Sequence, residues 1–240
     1  MKFLTLILLF SSLSCFNRAQ NQQVLDQDTS VYQTKSSSSG GTGKFYLGRE
    51  ISQVMGAAGA DWLERSERQQ EENSNLAISK LPLNSGSVVA DIGAGSGYYS
   101  FRIAKKIPQG KVFAVEVQDE FIKLLSSRKK EQNTANVEII KGSEKSPNLP
   151  ENSTDLAIMV DVYHELLYPQ EMLQGIRKSL KPGGKLLLLE YRAEDPNIAI
   201  KELHKMSVAQ VNKELSANGF KLVQRRDFLP IQHFLLYEKN

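Results

Sequence analysis

Cysteine is nearly absent. Cys15 is the one thiol in 240 residues, which excludes an intrachain disulfide and a zinc cluster built from cysteines. Histidine is scarce as well. His164, His204 and His233 show no HExxH spacing, so no dedicated metal site is expected. Neither sign of charge dominates: 30 Lys and Arg against 27 Asp and Glu leave a net +3. That balance excludes a strongly basic nucleic-acid binder, or an acidic disordered tail, as the main design. The apolar run at 3–10 is too short to span a bilayer as a mature helix, and no internal repeat is visible. What is present is ordinary for a globular chain, with 40% hydrophobic and 24% charged residues. The length suits one large domain with appendages, or two very small ones.

The first nineteen residues stand apart. Lys2 precedes the run FLTLILLF at 3–10, and Ser11, Ser12, Leu13 and Ser14 follow. This is the pattern of a secretory signal peptide over 1–19. Ser12-Leu13-Ser14-Cys15 resembles the lipobox of bacterial lipoproteins, with its Leu at −2 rather than −3. Cleavage near Ala19-Gln20 is the alternative. The expectation is export from a bacterial cytoplasm, to the periplasm or as a lipoprotein whose lipid is its membrane contact. A misassigned start would leave the chain cytoplasmic. Residues 20–43 are polar and include Ser36-Ser37-Ser38-Ser39-Gly40-Gly41, a composition that predicts a flexible tether. The folded part is expected over 44–240.

Residues 50–83 carry a helical pattern, with Trp62, Leu63 and the charged set Glu64, Arg65, Glu67, Arg68, Glu71 and Glu72. From 87 onward, short apolar runs alternate with helical periods. Strands are predicted at 87–92, 112–117, 137–141, 155–160, 185–191, 221–227 and 233–238, and helices at 97–106, 119–130 and 169–180. Such alternation predicts an α/β fold with a parallel sheet and crossover helices. A further helix at 207–218 opens with Ser207-x-x-Gln210, a capping box, and closes at Gly219. The last two strands are joined by a few residues around Pro230, so they must be antiparallel.

The strongest motif is Val88-Val89-Ala90-Asp91-Ile92-Gly93-Ala94-Gly95-Ser96-Gly97-Tyr98. A strand runs into three alternate glycines and then a helix. Glycine lets the backbone turn sharply and approach a ligand, and the helix N-terminus favours a negative group. Glu116 follows Gly97 by 19 residues, at the end of the next strand, where a carboxylate accepts ribose hydroxyls. The Gly-x-Gly-x-Gly spacing departs from the dinucleotide fingerprint, which disfavours an NAD-type oxidoreductase.

These residues, with Leu180-Lys181-Pro182-Gly183-Gly184-Lys185 before a strand, resemble the class I, Rossmann-like methyltransferases that use S-adenosylmethionine (SAM). The likeness covers about residues 50–240. It implies a seven-stranded, mostly parallel, doubly wound sheet in the order 3-2-1-4-5-7-6, with strand 7 antiparallel, preceded by N-terminal helices. It implies that Asp91 holds the methionine ammonium and that Gly93, Gly95 and Gly97 flank the methionine part. Glu116 then takes the ribose and Val117 packs on adenine. The family usually offers an Asp after the third strand. Here Lys141-Gly142-Ser143-Glu144 stands instead, with Ser143 or Glu144 as the substitute.

Methyl transfer from a sulfonium needs alignment more than acid–base help, and a base matters only where the nucleophile must lose a proton. Asp161-Val162-Tyr163-His164-Glu165 follows the fourth strand and is expected to line the site. The resemblance implies that this place contacts the cofactor or substrate, with Asp161 as the cofactor contact. His164 is read either as a base or as a residue that packs on the cofactor edge or caps the next helix. Tyr98 and Tyr99 are either walls of the methionine pocket or helix packing. Trp62 with Arg65 and Arg68 is either a lid or a packing Trp with solvated charges. His204-Lys205-Met206 is placed to reach the substrate cleft. The resulting expectation is a SAM-dependent methyltransferase for a small-molecule acceptor, with no nucleic acid. The alternative is an exported SAM- or S-adenosylhomocysteine-binding module without turnover.

Overall fold

The computed structural model describes residues 31–240. The expected signal peptide, Cys15 and the tether up to residue 30 lie outside the described residues. No helix among the described residues is long and apolar enough to cross a membrane.

Seven strands carry the large sheet. They are β4 (Val88–Ile92), β5 (Lys111–Glu116), β6 (Val137–Lys141), β7 (Thr154–Val160), β8 (Leu180–Arg192), β10 (Phe220–Arg226) and β11 (Gln232–Lys239). Their order is β10-β11-β8-β7-β4-β5-β6, and two-residue β9 (Lys205–Met206) adds to β8 in parallel. Every pair from β6 to β8 is parallel, and β11 is antiparallel to both its neighbours. Counted from β4 as strand 1, this is the 3-2-1-4-5-7-6 order.

Four helices cover the faces: α4 (Tyr98–Lys106), α5 (Asp119–Glu131), α6 (Pro169–Ser179) and α7 (Val208–Ala217). A parallel strand is buried on both faces, and its side chains alternate between them. In β8, Leu187 and Leu189 enter one core with Val89, Ile158, Phe101 and Ile103. Leu186 and Leu188 enter the other, with Ala157, Met159, Leu173, Ile176 and Leu215. The unbroken leucine run therefore serves both layers. Ser207 caps α7 by accepting the Gln210 N–H at 3.2 Å, and Gly219 follows at φ +75°. The Gln210 side chain donates to Glu214 and Leu47 rather than completing the box.

The N-terminal part differs from expectation. β1 (Tyr32–Thr34), β2 (Gly41–Tyr46) and β3 (Arg49–Ser52) form a small antiparallel sheet inside what the composition predicts as tether and helix. Order thus begins before residue 44. Tertiary ties explain it. Glu50 accepts hydrogen bonds from the Ser38 and Gly43 backbone, and Arg49 pairs with Glu214 of α7. Three short helices follow within the expected helical stretch: α1 (Ala60–Leu63), α2 (Arg68–Glu72) and α3 (Ser74–Ser79).

Candidate cofactor and active site

The carboxyl ends of β4, β5, β7 and β8 converge at the point where the strand order reverses, the usual ligand position in open α/β sheets. After β4 the chain turns through Gly93, Gly95 and Gly97, with φ of +71°, +53° and +83°. A side chain there is strained in the backbone and has no room. A Cβ on Gly97 would lie 2.5 Å from Phe101 and 2.7 Å from Leu125. Glu116 fastens the loop from the next strand. Its carboxylate accepts the N–H groups of Gly95, Val117 and Gln118 at 2.9, 2.7 and 2.9 Å. Val117 beside it is partly exposed, an apolar surface at the same edge. Ser143 and Glu144 follow β6 on an exposed turn, where the Ser143 hydroxyl accepts the Ser146 N–H.

Asp91 lies at the inner end of β4 and is buried. It accepts one hydrogen bond from Ser100 at 2.6 Å, and burial pushes its pKa up to about 6. Asp161, just after β7, has the left-handed φ of +53°. One of its oxygens accepts from Gln232 at 2.7 Å, and the other is buried with no hydrogen-bond partner. Burial, then the charges of Glu72 and Glu190, hold its carboxyl well above the usual range. The Tyr99 hydroxyl is also buried and unpartnered.

The segment α1–α2 roofs this pocket. Leu63 stands over Gly95, so close that a Cβ there would sit 2.9 Å from it. Glu64 accepts from Ser96 and pairs with Arg128 at 2.5 Å. Arg68 is buried, bonds Glu72 at 2.8 Å and lies over the Tyr98 ring at 4.3 Å. Tyr191 of β8 donates to the same Glu72. Trp62 is 45% exposed, with the Arg65 guanidinium stacked on it at 3.7 Å. The sequence leaves Trp62 with Arg65 and Arg68 as either a lid or a packing Trp with solvated charges. In the fold the Trp is outside and Arg68 and Glu72 are inside.

His164 is buried in a short 3-10 turn after β7. Its Nδ1 meets Glu190 at 2.6 Å, and its Nε2 meets His204 at 3.1 Å. Burial opposes a charged ring, but Glu190 and Glu165 outweigh it and push the pKa up to about 10. At neutral pH the ring therefore holds its proton rather than accepting one. The Lys181 ammonium, in the first residues of β8, pairs with Asp155 at 2.8 Å and lies at the end of that strand opposite the site. Glu190, Glu72 and Gln232 are site residues that the sequence reading missed. Each looks like an ordinary strand or helix residue, and only the fold brings them here.

These residues suit SAM. The site presents the buried carboxyl of Asp91 and the half-buried Asp161 beside a glycine loop, with one buried Asp161 oxygen and the Tyr99 hydroxyl unpartnered. Buried acids of this kind favour a cationic ligand, and SAM carries an ammonium and a sulfonium.

A family model described as a methyltransferase domain matches residues 83–233. Among curated proteins, the tRNA U34 carboxymethyltransferase of Desulfotalea psychrophila is 34% identical over 130 residues, covering 54% of this chain and 38% of its own. The ubiquinone/menaquinone biosynthesis C-methyltransferase UbiE of Pseudomonas putida (strain GB-1) is 26% identical over 118 residues, 48% of this chain and 46% of its own. The match thus spans less than half the length of either relative. Among solved structures, a SAM-dependent methyltransferase from Aquifex aeolicus superposes with a TM-score of 0.72 at 22% identity, covering 77% of this chain and 98% of its own. With its glycine loop, its sheet order and a family match over most of its length, the chain belongs to the methyltransferase-domain family, whose fold and cofactor are those of the SAM-dependent class I enzymes.

Proposed function

We propose that this protein transfers the methyl group of SAM to a small-molecule acceptor. The observation that carries this reading is the pair of acids beside the glycine loop, the buried Asp91 and the half-buried Asp161, whose inward oxygen has no hydrogen-bond partner. When bound, SAM supplies a methyl on a sulfonium whose leaving group is a neutral thioether. The work left to the protein is to bind and align. Asp91 and Asp161 would hold the positive groups, Glu116 the ribose, and Val117 the adenine face. Leu63 and Glu64 lie against the loop at Gly95 and Ser96, and a site covered on that side favours a small acceptor over a polymer lying in an open groove. Export, with Cys15 as the lipid attachment, is part of the same proposal and rests on the apolar run at 3–10.

A second reading is binding without turnover. It is favoured by His164, whose two ring nitrogens are both engaged and which leaves no free base at that place. Calorimetric titration of the full chain with SAM, S-adenosylhomocysteine and NAD separates cofactor classes. Binding of both adenosyl ligands and none of NAD is expected, and no binding of SAM would overturn the proposal. Turnover of labelled SAM across an acceptor screen then divides enzyme from binding module.

A further inference from the structure

Beyond the glycine loop, the fold brings three metal-ligating atoms to one point. His164 Nε2 and His204 Nδ1 lie 3.1 Å apart. Glu165 Oε1 is 3.7 Å from the first and 3.4 Å from the second. A tetrahedral ion with bonds of about 2.0–2.1 Å separates its ligands by about 1.63 bond lengths, roughly 3.3–3.4 Å. The three separations bracket that edge.

The surroundings also fit an ion. His164 Nδ1 meets the fully buried Glu190 at 2.6 Å, the carboxylate–histidine contact that fixes the tautomer of a ligating imidazole. The second oxygen of Glu165 accepts the Met55 N–H at 3.2 Å, which orients that carboxylate. Charge points the same way. Glu165 and Glu190 bring two negative charges, while the neighbouring Arg49 is already matched to Glu214. One imidazolium would leave a net negative charge in a buried cluster, whereas a divalent ion with two neutral imidazoles leaves none. Two imidazoles and one carboxylate suit zinc and its neighbours rather than magnesium or calcium.

We propose that His164, Glu165 and His204 bind one divalent transition-metal ion of the zinc type, with the fourth position left to water or to an anionic oxygen or sulfur of the acceptor. The ion would lie at the end of the cofactor loop, since Val162, two residues before His164, packs its side chain against Gly93. Ion binding stands independently of methyl transfer, and only the role given to the acceptor rests on that reading. The ligands come from two segments 39 residues apart, which is why a search for local spacings such as HExxH does not find them.

The test uses the full chain, stripped with a chelator and titrated with Co²⁺ and then Zn²⁺. One Co²⁺ per chain is expected, with the intense visible bands of a four-coordinate ion, bleached by one equivalent of Zn²⁺. His204→Ala, at a half-buried position that tolerates truncation, should weaken Zn²⁺ binding by about 100-fold or more, as should Glu165→Gln. Glu190→Gln should weaken it by about 10–100-fold. Titration with S-adenosylhomocysteine runs in parallel. Retained nucleoside binding with no stoichiometric Co²⁺ or Zn²⁺ uptake would overturn the metal site and leave the cofactor site standing. Metal uptake without nucleoside binding would do the reverse. Unchanged Zn²⁺ affinity in folded His204→Ala would also sink the metal proposal.

Discussion

Asp91 carries its carboxyl inside the protein with one side-chain hydrogen bond, from Ser100, and burial raises its pKa from 3.8 to about 6. Between those two values the folded chain keeps a proton that the unfolded chain has released. Stability therefore falls as pH rises across this window, by about 3 kcal/mol in all, and is flat above it. Asp91→Asn removes the window. The variant should match the parent near pH 4 and exceed it above pH 6, as read from urea midpoints at both pH values. Equal pH profiles would show that Asp91 ionises freely. A cation bound against Asp91 reverses the logic, because it selects the ionised form. SAM affinity should hold above pH 6 and drop up to about tenfold per unit below it, and the Asn variant should lose that slope together with most of its affinity. Such a residue trades stability for binding. Glu116 is a different kind of acid: three backbone N–H groups depend on it. Glu116→Ala should weaken SAM binding by about 1–3 kcal/mol and loosen the loop as well, seen as faster amide exchange at Gly95. Asp91 and Glu116 are legible in the sequence because the strand–loop–helix pattern assigns them a place. Arg68 and Glu72 are not. Their periodicity says solvent face, and only tertiary packing encloses them with Tyr98 and Tyr191.

At the scale of elements, α1 and the glycine loop are one device. Leu63 occupies the space above Gly95, and Glu64 ties the roof to Ser96 and Arg128. Gly95→Val is expected to abolish cofactor binding by two routes: strain at φ +53° and collision with Leu63. Glu64→Ala should leave the loop intact but free the roof, so that S-adenosylhomocysteine both enters and leaves faster. Stopped-flow kinetics would show this, and unchanged rates would mean that the roof does not govern access. The large sheet was legible strand by strand, since its apolar runs and turn residues are local signals. Its closing hairpin follows from the short connection at Pro230, and β11 pairs antiparallel to β10 as that connection requires. The small sheet was not legible. β2 reads Gly-Thr-Gly-Lys-Phe-Tyr, with little alternation to mark a strand, and it is held by Glu50 of β3, the strand whose Arg49 pairs with α7. The meeting of His164 with His204 is hidden for the same reason. It depends on the turn after β7 and on the segment leading into β9 reaching one sheet edge.

Across the whole described molecule, the small sheet is clamped to the large fold by Arg49, which makes paired hydrogen bonds to the fully buried Glu214 at 2.8 and 2.9 Å. Arg49 also donates to the His164 carbonyl at 3.1 Å, and Ser52 of β3 reaches the same oxygen. Arg49→Met would leave the buried Glu214 carboxylate without its cation, with Tyr163 and Gln210 as its remaining partners. The expected loss is about 3–5 kcal/mol, measured by denaturant unfolding, and the double variant Arg49→Met with Glu214→Leu should recover much of it. Failure of the double variant to recover would place the energy in packing, or in the hydrogen bonds that Tyr163 and Gln210 make to Glu214, rather than in the ion pair. For the segment ahead of residue 31, the whole-cell test is Cys15→Ser. Release from the membrane fraction is expected if the thiol carries lipid, and unchanged fractionation would remove the anchor from the proposal.

The small sheet has a mechanical consequence. Whatever precedes residue 31 joins the fold at β1, whose Tyr32 hydroxyl bonds Glu171 of α6. β1 is the outer strand of its sheet, and β3 is the strand that holds α7 and the His164 carbonyl. A pull on the chain from that side is therefore taken up first by β1, β2 and two helices on one face. It reaches the His164 turn through β3 and through Tyr32, which contacts Tyr168 and Gln170 just after that turn, and the glycine loop lies beyond Val162. A protein held by its leading end would in this way load its outer strands and the His164 turn before its glycine cradle.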